Sequence, residues 1–462
     1  MKIASLLTLL FANQVISLDK IGFVYEAVRH GARAPQLDIL RGFKVTAGAL
    51  TASGMRQRYL LGKMQRQRYI DEFKLLDETY NPNQIYIQCT NVNRVMQSSY
   101  AELLGFYPPL KKKTSKPRDL ESLFLNDLIE MEDFDQQKSH FITEGEMDSL
   151  RSGKGMPKLK IRIRNAQESQ QNSDSQVTQE DYNLYFQNLR STIDGLQFIP
   201  VFNYLIPDQY DDLNYQGCHY ALQNRAKWYS DEKSYQDYSS YILPMMRKQI
   251  GQAFNLSKDD IQNMKFTQYY NYSDILRAED QEGVPSRYNF SKEEWYQVRN
   301  SQKILLTGTF SDIGRNLWIT KMVQKPIQML IDTASKILNG ITTNDDLKLF
   351  VHSAHDTQLL NVIEFFNPFQ HETIDQTYCS LLTFELHYDS DCVSTGKKDL
   401  TCFRVEVESN GVPLRFKTCM DQNTKNGSHN PYCDLPGFIM HWNSVRYSKG
   451  DVLDACKQNF NE

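Results

Sequence analysis

The chain has 462 residues, 40% hydrophobic and 23% charged, and a formal net charge of −4. That length is far above the size at which one core is marginal, and the balance describes an ordinary globular protein. The nearly neutral charge offers no electrostatic footprint for nucleic acid or an anionic membrane, so attraction for an anionic ligand has to be local. The 26 tyrosines are spread along the chain and read as packing, not as a stacking platform.

Met1-Lys2, the apolar run 3–12 and Val15-Ile16-Ser17 follow the order of a secretory signal cleaved after Ser17. No later stretch is long and apolar enough to span a bilayer, so a soluble product without a membrane anchor is expected. Residues 21–28 form an apolar, strand-like run ending in Arg29-His30-Gly31-Ala32-Arg33-Ala34-Pro35. Two guanidiniums a few residues apart can grip the oxygens of a phosphoryl group, because their forks match phosphate and their charge is permanent. His30 stands between them, and neighbouring positive charge disfavours its protonation, which keeps the ring neutral and nucleophilic. Gly31 is expected to let the backbone approach a ligand, and Pro35 to stiffen the exit from the turn.

Met55, Tyr59 and Gly62 at helical spacing predict an amphipathic helix over 53–69. A second strand-like run, 84–88, precedes Arg94, after which Val92, Met96, Ser99 and Leu103 mark another helix. Residues 111–299 read as a polar, mostly helical insertion, whose stretch 165–181, rich in Gln, Ser, Asn and Asp, reads as a solvated loop. His219 and Trp228 in it are taken as structural. The core resumes with a helix over 322–338 that holds Pro326 near its start. The run 347–351 then leads to His355-Asp356-Thr357 and to Leu359, Leu360, Val362, Ile363 and Phe366 at helical spacing. Strands over 382–388 and 402–407 extend the sheet. Strand ends that deliver Arg, His and Asp are the layout of an open α/β sheet, where ligands bind beyond the carboxyl edge. Each position also has a local reading: Asp356 as the cap of the following helix, Arg94 in a surface ion pair, Thr357 as a capping hydroxyl.

These residues together resemble the histidine acid phosphatases of the histidine phosphatase superfamily, branch two. Arg29, His30, Gly31, Arg33 and Pro35 match an Arg-His-Gly-x-Arg-x-Pro signature, and His355-Asp356-Thr357 matches the downstream motif. Leu50-Thr51-Ala52-Ser53-Gly54-Met55, Gly105-Phe106-Tyr107-Pro108-Pro109 after Arg94, Tyr378-Cys379-Ser380 and Cys433-Asp434-Leu435-Pro436-Gly437-Phe438 extend the likeness over 20–110 and 345–440. The resemblance implies an α/β protein, a mixed central sheet flanked by helices on both faces with a mostly helical cap domain inserted. The division would be a signal peptide at 1–17, a core of 18–110 and 300–462, and a cap of 111–299.

By function, the resemblance implies a secreted or lysosomal acid phosphatase that hydrolyses phosphate monoesters through a phosphohistidine. His30 would be the nucleophile and Asp356 the proton donor, with Arg29, Arg33, Arg94 and His355 binding phosphate and with no metal or other cofactor. The expected partner is a small-molecule phosphate monoester; nucleic acid and a membrane anchor are not expected, and a homodimer is compatible. A second reading is a phytase or another inositol-phosphate phosphatase, although asparagine tends to follow His-Asp-Thr there and Gln358 stands here. A third is a catalytically silent phosphate-binding homologue, against which intact His30, His355 and Asp356 argue.

Eight cysteines behind a signal fit disulfide formation. Cys392 can pair with Cys402 across a hairpin and Cys419 with Cys433 around a loop; by resemblance Cys218 joins Cys379, leaving Cys89 and Cys456 unassigned. No Cys-x-x-Cys or His-x-x-x-His pattern supports a zinc site. Sequons stand at Asn255, Asn271, Asn289 and Asn426.

Overall fold

The computed structural model describes residues 19–40, 42–109, 197–203, 213–228, 233–369, 371, 376–395, 399–419 and 432–460. The signal segment 1–17, the polar stretch 165–181 and the sequon at Asn426 lie outside the described residues. The strands are β1 (Asp19–Arg29), β2 (Ile85–Cys89), β3 (Leu349–Ala354), β4 (Leu381–Asp389), β5 (Phe403–Ser409), β6 (Val412–Pro413) and β7 (Cys433–Asp434). They form one mixed sheet in the order β2-β3-β1-β4-β5-β6, with β7 also on β5. The first three strands run parallel, and β4 and the later strands join antiparallel.

Strand β1 is central and buried on both sides, which is why it reads as a continuous apolar run instead of an alternating one. Phe23, Tyr25 and Ala27 enter one apolar cluster, while Val24 and Val28 enter the other. Ile21 shares the second cluster despite its odd number, because the pairing with β4 shifts register between Ile21 and Phe23 and reverses the side-chain alternation.

The principal helices are α1 (Ala52–Arg66), α2 (Asn93–Phe106), α3 (His219–Trp228), α4 (Leu243–Phe254), α5 (Phe266–Gln281), α6 (Lys292–Thr307), α7 (Asp312–Asn339), α8 (Asp356–Phe366) and α9 (Leu435–Val445). Leu61 of α1 and Leu103 and Phe106 of α2 cover one face of the sheet; Trp318 of α7, Phe366 of α8 and Phe438 of α9 belong to the cluster on the other. A third apolar cluster, separate from both, joins Tyr238, Met246, Phe266, Tyr269 and Val298 in the helical region.

Helix α7 is longer than the 322–338 expected from sequence, and Pro326 therefore sits in its interior instead of its first turns. Ser311 caps it, accepting from Gly314 N at 3.1 Å. Gly314 stands in the first turn of α7 because a Cβ there would collide with the side chain of Asn224. A second correction concerns Gly31, where an added Cβ would strike the backbone of Gly54. Close packing of the motif loop on the start of α1, not approach to a ligand, is what demands glycine there.

Disulfides join Cys392 to Cys402 and Cys419 to Cys433, as expected, but Cys218 pairs with Cys456 at a Cα separation of 4.6 Å. Cys379 and Cys89 are free and buried. The expected Cys218–Cys379 bond fails on position: Cys379 N–H bonds the carbonyl of His30 at 3.1 Å at the sheet edge, whereas Cys218 precedes α3, which packs against the short helix Val452–Lys457.

At the amino end of β1 a buried ionic network ties three strands together. His387 on β4 bonds Asp19 through Nδ1 at 3.2 Å and Glu385 through Nε2 at 2.8 Å. Arg404 on β5 bonds Asp19 and lies 3.0 Å from Glu406, while Arg68 bonds Glu385. Asp19, His387 and Glu406 are of metal-ligating type and close together, but Arg404 already bonds both carboxylates. Burial opposes the charge on His387, and the carboxylates outweigh it and raise the imidazole to about 9. Because the folded value lies above the ordinary 6.5, this group stabilises the fold fully below pH 6.5 and loses the contribution as pH rises towards 9. A His387→Asn variant is expected to be less stable than the parent by about 3 kcal/mol at pH 5. Urea unfolding should show that gap narrowing between pH 6.5 and 9, and a constant gap would contradict the assignment.

Candidate active site

Parallel pairing in register sets the site. Arg29 of β1 lies opposite Ala354 of β3, and Ser353 opposite Cys89 of β2, so three carboxyl ends stop at one level. The ladder continues one residue further, with His30 N–H on Ala354 O at 3.0 Å and Thr90 N–H on Ser353 O at 3.2 Å. The residues just past the strand ends, His30, Arg94 and the pair His355-Asp356, must therefore emerge side by side. Arg58 of α1, fully buried, secures the junction by donating to Arg29 O at 2.7 Å and Ser353 Oγ at 3.2 Å while paired with Glu102.

The His30 and His355 rings meet edge to face, with centroids 5.3 Å apart. His30 Nδ1 lies 2.8 Å from the carbonyl oxygen of Gly31. A carbonyl can only accept, so in the neutral ring the proton resides on Nδ1 and the Nε2 lone pair is left available. Burial, then the charges of Arg29 and Arg94, holds His30 well below the usual imidazole range. His355 is lowered to about 3, by burial first and by Arg94 next.

Arg29 stacks on Tyr378, 4.2 Å from the ring centre, and pairs with Asp356 at 2.7 Å. Arg33 makes a bidentate pair with Asp274 at 3.0 and 2.9 Å. Arg94, in the first turn of α2, reaches His355 Nδ1 at 3.4 Å. Each of these three arginines also has a buried Nε with no hydrogen-bond partner among the described residues. Buried guanidinium nitrogens without acceptors are costly, and three of them around one imidazole form a ready receptor for the oxygens of a tetrahedral anion.

All six residues singled out from the sequence, Arg29, His30, Arg33, Arg94, His355 and Asp356, are thus brought to one end of the sheet. Two differ in detail from expectation. His355 has Nε2 on Thr90 Oγ1 at 2.9 Å and Nδ1 beside Arg94, so it orients that arginine instead of presenting an unused donor. Asp356 is the first residue of α8 and not its cap, a place taken by His355, although its Oδ1 does accept from Thr357 N at 2.9 Å. Burial pushes the Asp356 carboxyl up, but Arg29, Arg33 and Arg277 outweigh it and keep the group below its ordinary range, hence ionised.

Sequence reasoning missed the residues contributed by the helical region. Asp274 of α5 is buried, accepts from Arg33 and from Gln36 N at 2.9 Å, and is lowered to about 2 because Arg33 overcomes the effect of burial. Arg277, one turn further, lies 3.5 Å from Asp274 and adds a fourth guanidinium. Gln302 of α6 bonds Asp356 at 2.6 Å. An Asp or Gln on an amphipathic helix carries no local mark of such a partner. Tyr378 was legible only as part of a motif, without a role. Glu282, beyond α5, fastens the helical region to the core through Thr51 at 2.5 Å and Ser53 at 2.8 Å.

A family model described as "Histidine phosphatase superfamily (branch 2)" matches residues 41–405. Among curated relatives, the lysosomal acid phosphatase of Xenopus laevis is 35% identical over 118 residues, which cover 23% of this chain and 26% of that protein. Human prostatic acid phosphatase is 33% identical over 108 residues, 21% of this chain and 26% of the relative. The chain thus spans about a quarter of the length of these relatives. Among solved structures, the phytase of Citrobacter braakii aligns with a TM-score of 0.54 at 14% identity, over 95% of this chain and 99% of that one. The apo phytase of Hafnia alvei gives 0.51 at 16% identity, over 95% and 98%. At such identities the likeness speaks for the fold alone.

The bond to Gly31 and the lowered imidazole predict a specific NMR signature. Nitrogen-15 spectra at pH 5 are expected to show His30 neutral with its proton on Nδ1, where a free imidazole is almost wholly charged. An imidazolium at His30 under those conditions would refute the tautomer assigned above.

Proposed function

Since the chain belongs to branch 2 of the histidine phosphatase superfamily, we propose that it hydrolyses phosphate monoesters through a phosphohistidine at His30. The observation that carries this reading is the Nδ1 bond to Gly31, which leaves the Nε2 lone pair of a neutral His30 available beside the guanidiniums of Arg29, Arg33 and Arg94. In the first step Nε2 forms a bond to phosphorus while the bond to the ester oxygen breaks, and Asp356 gives that oxygen a proton. In the second, water attacks phosphorus, Asp356 takes its proton, the phosphorus–nitrogen bond breaks and phosphate leaves. Fixed guanidiniums stabilise the equatorial oxygens throughout.

Asp356 is ionised in the resting site, because Arg29, Arg33 and Arg277 hold its carboxyl down. An arriving phosphoryl group neutralises part of that positive charge and lets the carboxyl rise, so the protonated, competent form is favoured at acid pH. Arg277 favours one further reading within this chemistry. It acts on Asp356 from the helical region, and a guanidinium beside the proton donor suits a leaving group that is itself anionic, as in an inositol phosphate. Comparison of rates on phytate and on a neutral alkyl phosphate separates the two.

We assign the protein to the secretory route, secreted or lysosomal, on the signal-like residues 1–17 and the three disulfides. The helices between 213 and 299, with their own apolar cluster, would be part of the cap. Asn255 and Asn289 are exposed, whereas Asn271 lies within α5 and its sequon hydroxyl, Ser273, is buried. Glycans are expected on the first two and not on Asn271, as peptide mass spectrometry after enzymatic deglycosylation would reveal.

Purified protein is expected to release phosphate from an aryl phosphate at acid pH, and His30→Ala to lose at least about a thousandfold. Quenching in alkali, which preserves phosphohistidine, should trap label on the parent and none on the variant. Equal rates for the two proteins would reject the proposal.

A further inference from the structure

Arg29, Asp356, Gln302 and Gln376 close a ring of hydrogen bonds at the edge of the site. Arg29 Nη2 lies 2.7 Å from Asp356 Oδ2, and the same oxygen accepts from Gln302 Nε2 at 2.6 Å. Gln302 Oε1 accepts from the backbone N–H of Gln376 at 3.0 Å, and the carbonyl of Gln376 accepts from Arg29 Nη1. Gln302 is fully buried. Its amide cannot be reversed, since the Gln376 N–H is a donor only and selects the oxygen end, which commits the amino end to Asp356.

We infer that Gln302 is a positioning residue for the proton donor: it keeps the Asp356 carboxyl aimed at the leaving oxygen once a phosphoryl group competes for Arg29. The inference rests on the role proposed for Asp356. In the resting site Asp356 Oδ2 is held by two groups of different kind, a cation and a neutral amide. A bound phosphoryl oxygen is a stronger ligand for the guanidinium than a carboxylate already shared with an amide, so the cation is the hold that weakens. The amide remains, anchored at its far end to backbone. As a neutral donor it restrains the carboxyl without the strong depression of acidity that a guanidinium imposes.

Leaving-group dependence tests this, because kcat/KM reads only the steps up to release of the alcohol. p-Nitrophenyl phosphate expels a stable phenolate that needs little protonation, whereas ethyl phosphate expels an alkoxide that must be protonated. Gln302→Leu is expected to lower kcat/KM for ethyl phosphate by about tenfold or more, and for p-nitrophenyl phosphate by no more than about threefold. Loss of a donor to the ionised carboxylate should also move the basic limb of the ethyl phosphate profile upward by about one pH unit. Equal losses on both esters with an unmoved limb overturn the inference, since a merely structural defect would act in that way. Asp356→Asn is the reference. If it fails to discriminate between the esters, the role of Asp356 itself falls; if it discriminates and the Gln302 variants do not, only the inference about Gln302 falls. Should Gln302→Leu not fold, Gln302→Met, closer in length, is read by the same two outcomes.

Discussion

Everything in the site depends on three parallel strands ending at the same level. Hydrogen bonding in register between β1, β3 and β2 leaves no freedom in where Arg29, Ala354 and Cys89 stop, and the next backbone bond on each side, His30 to Ala354 and Thr90 to Ser353, carries the order into the loops. A slip of one residue in either pairing would send the His30 or His355 side chain to the opposite face. The two apolar layers oppose that slip, because it would turn Phe23, Tyr25 and Ala27 out of one core and Val24 and Val28 out of the other. The geometry of the site is in this sense a by-product of hydrophobic register.

The second constraint is electrostatic. Four guanidiniums, from Arg29, Arg33, Arg94 and Arg277, converge against two carboxylates, Asp274 and Asp356. Such an excess of buried positive charge is unfavourable to fold around, and the molecule moderates it unequally. Arg33 has a full bidentate partner in Asp274, Arg29 shares Asp356 and rests on Tyr378, and Arg94 has only weak contacts with His355 and the Gly48 carbonyl. Its acidity changes accordingly: burial and the neighbouring arginines lower Arg94 to about 10. Burial and the residual charge keep both imidazoles neutral in the resting state, and the same charge keeps Asp356 ionised.

The sheet and the six site residues were legible because each is a local signal: an apolar run marks a strand, and the Arg, His or Asp directly after it marks the carboxyl edge. Strand limits came within a few residues for the same reason. The rest is not local. Asp274 is 241 residues from Arg33, and Gln302 is 54 from Asp356, so nothing near either position announces its partner. The pairing of Cys218 failed likewise, since any buried thiol is a candidate until its neighbours in space are known. Gly31 was misread in the other direction: a glycine reports that space is short, without saying whether a ligand or a helix start occupies it.

The bidentate contact between Arg33 and Asp274 has a bearing on how such a molecule can diversify. It joins the signature loop to one turn of α5, and Glu282 adds a second rivet a little beyond. Between those rivets, lengthening or shortening the chain would drag Arg33 out of line. Outside them, the helical region can acquire new segments or lose old ones at little penalty. Lineages are therefore free to remodel the helical wall while the loop at the strand ends stays unchanged.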